Sequence, residues 1–298
     1  MIVNQQALVG ITTGFKTIFN KVFDTSTTLW DKIATKVPSE TGEENYKWLG
    51  KIPRMREWIG DREIQNLTGS DYTIKNKDFE LTIGVDRNDI EDDKIGVYNP
   101  VIQDIAQSTV TFPDDLVFGL VKGGFTNKCY DGQPFFSDAH KAGKKTVSNK
   151  GTKKLTVESY AEARSAIMSQ VDENGNSLKL IPNILMVAPA NEGMARKILL
   201  ADQIEASDNV FKGTAELMVV PDLAGEDTDT AWYLLCTTKA LKPFIFQERK
   251  APKFDALIDD KDENVFMRKQ FIYGVTSRAN AGYGFWQMAF GSTGADAE

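Results

Sequence analysis

The sequence predicts an α+β fold, in which helices and strands follow one another without regular alternation. Apolar residues recur at spacings of three and four over residues 99–121, which is typical of a helix. Apolar and polar residues alternate strictly over 79–85, which is typical of a half-buried strand, and the apolar run at 184–188 indicates a buried strand. Because no regular strand-helix order and no internal repeat is visible, a mixed fold is favoured over a doubly wound parallel sheet.

The composition predicts a soluble globular protein. The chain has 298 residues, of which 41% are hydrophobic and 26% charged, so it has enough apolar surface for a sizeable core. A formal net charge of −7 disfavours sequence-nonspecific binding to DNA or to an anionic membrane. Two cysteines are too few for a disulfide framework, and no apolar run reaches the roughly 18 residues of a membrane helix. We therefore expect synthesis in the cytoplasm and no membrane partner.

The first segment is predicted to be an amphipathic helix over residues 2–23. Leu8, Phe15 and Phe19 lie on its apolar stripe, at helical spacing. Two glycines inside the segment each lower helix stability by about 1 kcal/mol relative to alanine. Since packing against another surface must then stabilise the helix, we interpret it as an arm that docks.

Residues 39–85 are interpreted as a long projecting hairpin. A second short helix is predicted before them and ends at Pro38, where a polar turn follows. Aromatic and charged residues then mix without a stable apolar face until the alternating strand begins at Phe79. A segment so charged is not expected to lie in a core.

The remaining elements mix helices with short strands. The longest helical pattern covers 99–121, and Pro113 within it predicts a kink or a break. A glycine-containing turn separates two aromatic strands predicted within residues 265–292. Further helices are predicted over 157–171 and 191–201, and further strands over 181–189, 216–221, 232–238 and 243–247.

The segment CYDGQPFFSDAH, residues 129–140, carries side chains that resemble a catalytic or metal-binding cluster. It contains Cys129, Asp131, Asp138 and His140, which is the single histidine of the chain. Structural zinc requires four ligands, usually as closely spaced pairs of cysteine or histidine, and one residue of each type does not provide them. A general base needs an orienting partner and a pocket, and the spacing indicates neither.

A structural role for this segment is therefore favoured. DGQP is a turn sequence, and Phe135 and Phe136 are expected to hold the loop on a core. The alternative is a soluble metal-dependent hydrolase that uses Asp131, Asp138 and His140. On the favoured interpretation the chain has no catalytic, cofactor-binding or metal-binding residues and is not an enzyme.

Two stretches carry a family resemblance, DGQPFFSDAH at 131–140 and YGVTSRANAGYGFWQMAFGS at 273–292. Together with the order of the predicted elements, they resemble the major head (capsid) protein of Mu-like phages and prophages over nearly the whole chain. The resemblance implies the HK97-type capsid fold. In this sequence it implies an N-terminal arm at 1–38, an extended E-loop hairpin at 39–85, a peripheral domain at 86–180 and 251–298 with a long spine helix at 99–121, and an axial domain at 181–250.

The same resemblance implies a structural function. Copies of the chain are expected to form hexamers and pentamers of an icosahedral shell, which encloses double-stranded DNA without sequence-specific binding. The implied partners are a scaffold or protease protein, a portal and a decoration protein, with no cofactor. The implied location is the virion capsid, after assembly in the cytoplasm of the host bacterium. A phage tail or baseplate module is a further alternative, which would form rings or tubes.

Subunit contacts are expected at the extremities of the chain. A shell subunit meets its neighbours through heterologous contacts, which projecting elements can supply. We expect the arm and hairpin to be stabilised by other copies, and His140→Ala to leave assembly intact. The candidate interface residues are Leu8, Phe15 and Phe19 on the arm, apolar Trp48, Met55, Trp58 and Ile59 on the hairpin, and basic Lys51, Arg54, Arg56 and Arg62 beside them.

Overall fold

The computed structural model describes residues 3–49, 55, 57, 61, 71–225, 228–259 and 261–296. Helices and strands are mixed throughout, so the predicted α+β class is confirmed. Within these residues the helices are α1 Gln5–Thr25, α2 Trp30–Ile33, α3 Arg87–Glu91, α4 Asn99–Lys122, α5 Val157–Met168, α6 Glu192–Leu200 and α7 Glu263–Arg268. The strands are β1 Ala34–Pro38, β2 Glu43–Asn45, β3 Thr73–Lys75, β4 Lys77–Asp86, β5 His140–Ala142, β6 Lys145–Val147, β7 Lys150–Gly151, β8 Ile184–Val187, β9 Gln203–Ile204, β10 Ser207–Asp208, β11 Glu216–Val219, β12 Trp232–Leu235, β13 Phe244–Leu257, β14 Gln270–Tyr283 and β15 Ala289–Ser292.

A four-stranded sheet has the order β1-β13-β14-β4. Its two central strands are antiparallel, each has 14 residues, and α7 lies in the connection between them. Strand β1 runs parallel to β13, and β4 runs antiparallel to β14. Helices α1 and α4 pack together, and both contact this sheet.

A five-stranded sheet has the order β11-β8-β12-β15-β7. All residues of β8 and β12 are buried, which agrees with their continuous apolar sequences ILMV and WYLL. Strand β15 pairs with β12 and β7, whereas β14 belongs to the other sheet. Both strands predicted within residues 265–292 are therefore confirmed, but they do not pair with each other, because the chain crosses from one sheet to the other between them.

Two local predictions are also corrected. The second short helix ends at Ile33, and residues 34–38 form β1, because parallel pairing with β13 outweighs the local helical spacing. Helix α4 continues through Pro113 to Lys122, so the predicted long helix is confirmed, and of the kink or break predicted at Pro113 the break does not occur.

The N-terminal arm packs on its own chain. Asn4 caps α1 by accepting a hydrogen bond from the Ala7 amide at 2.9 Å. Leu8, Phe15 and Phe19 are 0, 1 and 3% exposed, and the ring of Phe15 lies 5.1 Å from that of Tyr273. The expectation that another copy covers these three side chains is corrected, since β13, β14 and α4 of the same chain already bury them.

Candidate functional site

The loop at 129–140 is held by a tight turn and by two buried aromatic rings. The Cys129 amide donates to the Gln133 carbonyl at 2.8 Å, and Gly132 has φ +81°, which an L side chain rarely adopts. Phe135 and Phe136 are fully buried, and Phe135 stacks on Tyr283 with ring centroids 4.7 Å apart. The predicted structural role of the two phenylalanines is confirmed.

His140 is fully buried beneath this loop. Its Nδ1 lies 2.6 Å from Asp131 Oδ2, and its Nε2 lies 3.2 Å from the Phe135 carbonyl oxygen. The imidazole also stacks on Trp286, with centroids 4.0 Å apart and an interplanar angle of 4°. Both ring nitrogens lie within hydrogen-bond distance of an oxygen atom, and His140 joins the loop to the C-terminal segment.

Cys129, Asp131 and His140 bring their ligand atoms within 4.8 Å of one another. Burial raises the pKa of the Cys129 thiol, and the charge of Asp131 raises it further, so the sulfur is a protonated thiol. Burial acts to raise the pKa of Asp131, but hydrogen bonds from His140, Gln133 and Cys129 and the attraction of His140 together lower it. These side chains satisfy one another, and the arrangement provides neither a free base nor a nucleophile.

The alternative hydrolase site is not assembled in the described part of the chain. Its three residues were Asp131, Asp138 and His140, but Asp138 is exposed and does not belong to the Cys129 group. His140 has no exposed surface through which it could reach a substrate. The geometry therefore does not support the hydrolase alternative.

A second buried residue, Asn149, ties the same loop to the C-terminal segment. Its Oδ1 accepts from the Ser137 amide at 2.8 Å, and its Nδ2 donates to the carbonyls of Phe135 at 2.8 Å and Trp286 at 3.1 Å. The two stretches that carry the family resemblance are thus packed on each other. Sequence reasoning missed Asn149, because a single polar residue between strands gives no periodic signal.

A buried polar network holds the root of the projecting hairpin. Gln247 is fully buried and donates to the Ile74 carbonyl at 3.1 Å and to Asn76 Oδ1 at 2.8 Å. The Tyr46 hydroxyl donates to Gln247 Oε1 at 2.8 Å, and Asn76 Nδ2 donates to Ser39 Oγ at 2.8 Å. This network fixes both ends of the hairpin to β13, and the sequence pattern did not indicate it.

Glu44 closes the turn that enters the hairpin. Its carboxylate accepts from the Ser39 hydroxyl at 2.8 Å, the Glu40 amide at 2.9 Å and the Thr41 amide at 3.2 Å. These hydrogen bonds, with that from Ser39 the largest contribution, lower the pKa of Glu44 to about 2. The carboxylate therefore stays ionised and keeps the turn closed over the ordinary pH range.

The candidate interface residues on the hairpin fall into three groups. Trp48 is half-buried against its own chain, with its ring 5.8 Å from that of Tyr46 and 6.1 Å from that of Phe285. Met55 is fully exposed. Trp48 therefore also packs at the hairpin root of its own chain, and both Trp48 and Met55 stay candidates for subunit contact. The other six lie outside the described residues: Lys51, Arg54, Arg56, Trp58, Ile59 and Arg62.

The helices give no sign of a membrane-spanning segment. Within the residues described, no helix is both long enough and apolar enough to cross a bilayer.

The chain matches one protein family over almost all its length. Residues 8–154, 150–223 and 221–296 match the family described as Mu-like prophage major head subunit gpT. The major capsid protein of Escherichia phage Mu is 32% identical over 289 residues, which are 97% of this chain and 74% of that protein. The Mu-like prophage FluMu major head subunit of Haemophilus influenzae is 35% identical over 260 residues, which are 87% of this chain and 64% of that protein.

Solved capsid structures share the fold. A chain from the procapsid of bacteriophage JBD30 superimposes on this chain with a TM-score of 0.63 at 33% sequence identity. The superposition covers 97% of this chain and 76% of the procapsid chain. The mature capsid of bacteriophage PhiM1 gives a TM-score of 0.57 at 10% identity, covering 90% of this chain and 87% of that one, and it supports the fold alone. The HK97-type capsid fold is confirmed, and the chain belongs to the family of Mu-like prophage major head subunits.

Proposed function

We propose that copies of this chain form the hexamers and pentamers of an icosahedral shell that encloses double-stranded DNA, assembled in the cytoplasm of a bacterial host. Family membership makes the chain a structural capsid protein of the virion and not an enzyme. The observation that supports self-assembly best is the likeness to the JBD30 procapsid, which covers 97% of the chain. Neither the hydrolase nor the tail alternative has comparable support.

The proposed partners follow from the same family membership. They are a scaffold or protease protein, a portal and a decoration protein, together with packaged DNA that is bound without sequence specificity. The formal net charge of −7 supports loose contact with DNA, since a basic inner wall would hold the phosphates tightly.

The two sheets suggest how the domains are divided. We propose that the four-stranded sheet with α1 and α4 forms the peripheral domain and that the five-stranded sheet forms the axial domain. Strands β7 and β15 then belong to the axial domain, although the sequence-based boundaries placed them in the peripheral one.

The hairpin is proposed to contact a neighbouring subunit through its basic and apolar residues, among them Lys51, Arg54, Arg56, Arg62, Trp58, Ile59 and the exposed Met55. Each exposed ion pair contributes only about 0–1 kcal/mol, so the basic residues set the register more than the strength of the contact. Many weak contacts of this kind add up in a closed shell.

Deleting residues 50–70 tests this function. The two ends meet, because the Tyr46 amide donates to the Tyr72 carbonyl at 2.8 Å, so a short Gly-Ser linker can replace the segment. A deletion from residue 46 would remove the buried Tyr46 and Leu49, which belong to the core. We expect the shortened chain to unfold cooperatively and to form no shells in negative-stain images, whereas the intact chain forms closed shells with its scaffold partner.

Two outcomes would overturn parts of the proposal. Rings or tubes from the intact chain would favour the tail module, and normal shells from the shortened chain would remove the hairpin from the interface. His140→Ala is not a useful test of assembly, contrary to our expectation from sequence, because His140 is buried and its loss would destabilise the subunit itself.

A further inference from the structure

The connection between β13 and β14 presents two large apolar side chains to solvent. On α7, Val265 is buried against the core between α4 and the four-stranded sheet, whereas Phe266 and Met267 are 85 and 68% exposed. Single exposed apolar residues are ordinary, but an adjacent phenylalanine and methionine at the tip of a long hairpin form a protruding apolar knob. We call Phe266 and Met267 the α7 knob.

An apolar groove lies elsewhere on the same subunit, between β4 and α4. Phe79, Leu81, Phe112 and Val275 line it, and the rings of Phe79 and Phe112 are 4.3 Å apart. The volume of the groove is about 170 Å³. Since a cavity of about 150 Å³ with apolar walls binds one benzene molecule, the groove has room for one phenyl ring.

The α7 knob cannot enter the groove of its own chain. Leu81 pairs with Val275 in the register of β4 and β14, while α7 precedes Gln270 at the far end of β14. Val275 lies five residue steps from Gln270, which is about 16 Å along the strand. An α7 knob that fills the groove must therefore belong to another molecule.

The charges beside the two features are complementary. Arg268 follows the α7 knob directly and is exposed, and Glu80 is an exposed residue that lines the groove. Entry of the knob into a groove on a second copy brings a guanidinium towards a carboxylate, which favours one orientation of the contact.

We propose that the α7 knob of one subunit inserts Phe266 into the groove lined by Phe79, Leu81, Phe112 and Val275 on a second copy of the chain. This inference rests on the proposed self-assembly and identifies one of its contacts. Because knob and groove are different surfaces, the contact can join copies head to tail, as a shell requires. The occupant is a second copy because the family is one of assembling subunits and because both features lie on this chain.

Cross-linking between two kinds of subunit tests the contact. Tagged copies with Phe266→Cys are mixed with untagged copies with Leu81→Cys, allowed to assemble, and treated with a short bis-maleimide reagent. The native Cys129 and Cys236 are buried, so the unmodified chain gives the background. We expect tagged-untagged dimers on denaturing gels. A matched control mixes Leu81→Cys with Val210→Cys, another exposed apolar position, and is expected to give background only.

A second variant measures the contribution to assembly. Phe266→Ala should leave the melting temperature unchanged, because the ring is exposed, and should raise the concentration needed for shell formation by about tenfold or more. Val210→Ala serves as the matched control and is expected to change neither quantity.

The outcomes separate this inference from the proposed function. Shells that form without the Phe266–Leu81 cross-link, or with Phe266→Ala at the wild-type concentration, would overturn the knob contact and leave the shell function standing. Failure of the intact chain to assemble with its scaffold partner would overturn both.

Discussion

The loop at 129–140 and the α7 tip at 263–268 are opposites in composition and in environment. The loop contains a histidine, a cysteine and two aspartates, yet its histidine is fully buried and its aromatic rings contact the C-terminal segment. The tip contains the ordinary apolar pair Phe266 and Met267, and both are exposed. The histidine and the cysteine, which are typical of catalytic sites, are thus buried inside the subunit, whereas two apolar side chains that are typical of a core lie outside it.

This difference agrees with the function of a head subunit. Such a protein needs a rigid body and surfaces that other copies cover, and it does not need a reactive pocket. Asp131 and His140 contribute to rigidity through their contact with each other, and Asn149 contributes through its hydrogen bonds to the nearby backbone. An exposed apolar tip contributes to assembly and adds little to the stability of a single copy.

Aromatic truncation in each region provides the largest contrast. Trp286→Ala removes a fully buried ring that stacks on His140, and we expect it to lower the free energy of unfolding by about 3–5 kcal/mol. Phe266→Ala, the matched truncation at the exposed tip, should stay within about 0.5 kcal/mol of the unmodified chain. Urea denaturation followed by circular dichroism measures both. Equal losses in the two variants would remove the distinction between the regions.

The next largest loss of stability is expected from adding a side-chain atom in the tightly packed surroundings of Phe136. A Cβ on Gly291 would lie 2.8 Å from the Phe136 ring, and one on Gly124 would lie 2.6 Å from it, so the ring has glycine on two sides. We expect Gly291→Ala to destabilise the subunit by about 1–3 kcal/mol through overpacking. Adding Phe136→Leu should recover part of this loss, as measured by a double-mutant cycle.

Gly119→Ala is the matched control for that substitution. A Cβ at Gly119 meets no atom within 4 Å, and the residue lies inside α4. Here alanine should stabilise the chain by up to about 1 kcal/mol. A loss at Gly119 as large as that at Gly291 would mean that the effect is not one of packing around Phe136.

The pair of Asp131 and His140 gives a moderate effect with a defined pH dependence. Asp131→Asn should lower the free energy of unfolding by about 1–2 kcal/mol at neutral pH, because it removes the charged acceptor of His140. The folded state lowers the pKa of Asp131, so its contribution is present above the ordinary value of 3.8 and is lost as the pH falls through the lowered value. Denaturation at several pH values checks this.

Asp138→Asn is the control in the same loop. Asp138 is exposed, so the substitution should change stability by less than about 0.5 kcal/mol at every pH. If the two variants lost the same amount of stability, the carboxylate of Asp131 would have no special role.

The sequence predicted the parts of the fold that local periodicity specifies. The sequence identified the arm helix, the spine helix and the strand at 77–86, because their apolar residues recur at the period of a helix or of a strand. Phe15, Ile105 and Val85 are examples of these apolar positions. The parallel pairing of β1 with β13 was missed, since its partners are about two hundred residues apart and its own spacing is helical. The crossing of the chain between sheets after Tyr283 was missed for the same reason.

The sequence predicted that the candidate site is a structural loop, but it did not predict which residues the loop contacts. A turn sequence followed by Phe135 and Phe136 was enough to indicate a structural loop. No sequence pattern could show that His140 lies on Trp286 or that Gln247 holds the hairpin root, because such contacts depend on tertiary structure. The arm was assigned to the wrong chain because an apolar stripe shows that a helix docks but not on which copy.

The smallest change in stability is expected at Asp114, which provides a contrast with Asp131. Asp114 is a buried carboxylate whose pKa is raised, whereas the pKa of Asp131 is lowered. It accepts hydrogen bonds from the amides of Leu29 at 3.0 Å and Trp30 at 2.7 Å, at the start of α2. Burial raises the pKa of Asp114 above its ordinary value of 3.8, and the two hydrogen bonds only partly oppose this. Its favourable contribution is therefore present below the ordinary value and is lost as the pH rises through the raised one.

Asp114→Asn keeps an oxygen acceptor for the two amides and removes the charge, so it should stabilise the subunit at pH 7 by a few tenths to about 1 kcal/mol. The gain should disappear on acidification, whereas the loss caused by Asp131→Asn disappears over a lower pH range. Parallel urea titrations of the two variants measure these slopes. A loss of stability in Asp114→Asn at pH 7 would mean that the charge on the Asp114 carboxylate strengthens the two amide contacts by more than its burial costs. Asp114 and Asp131 would then be stabilised in the same way, and the difference in their surroundings would have no energetic consequence.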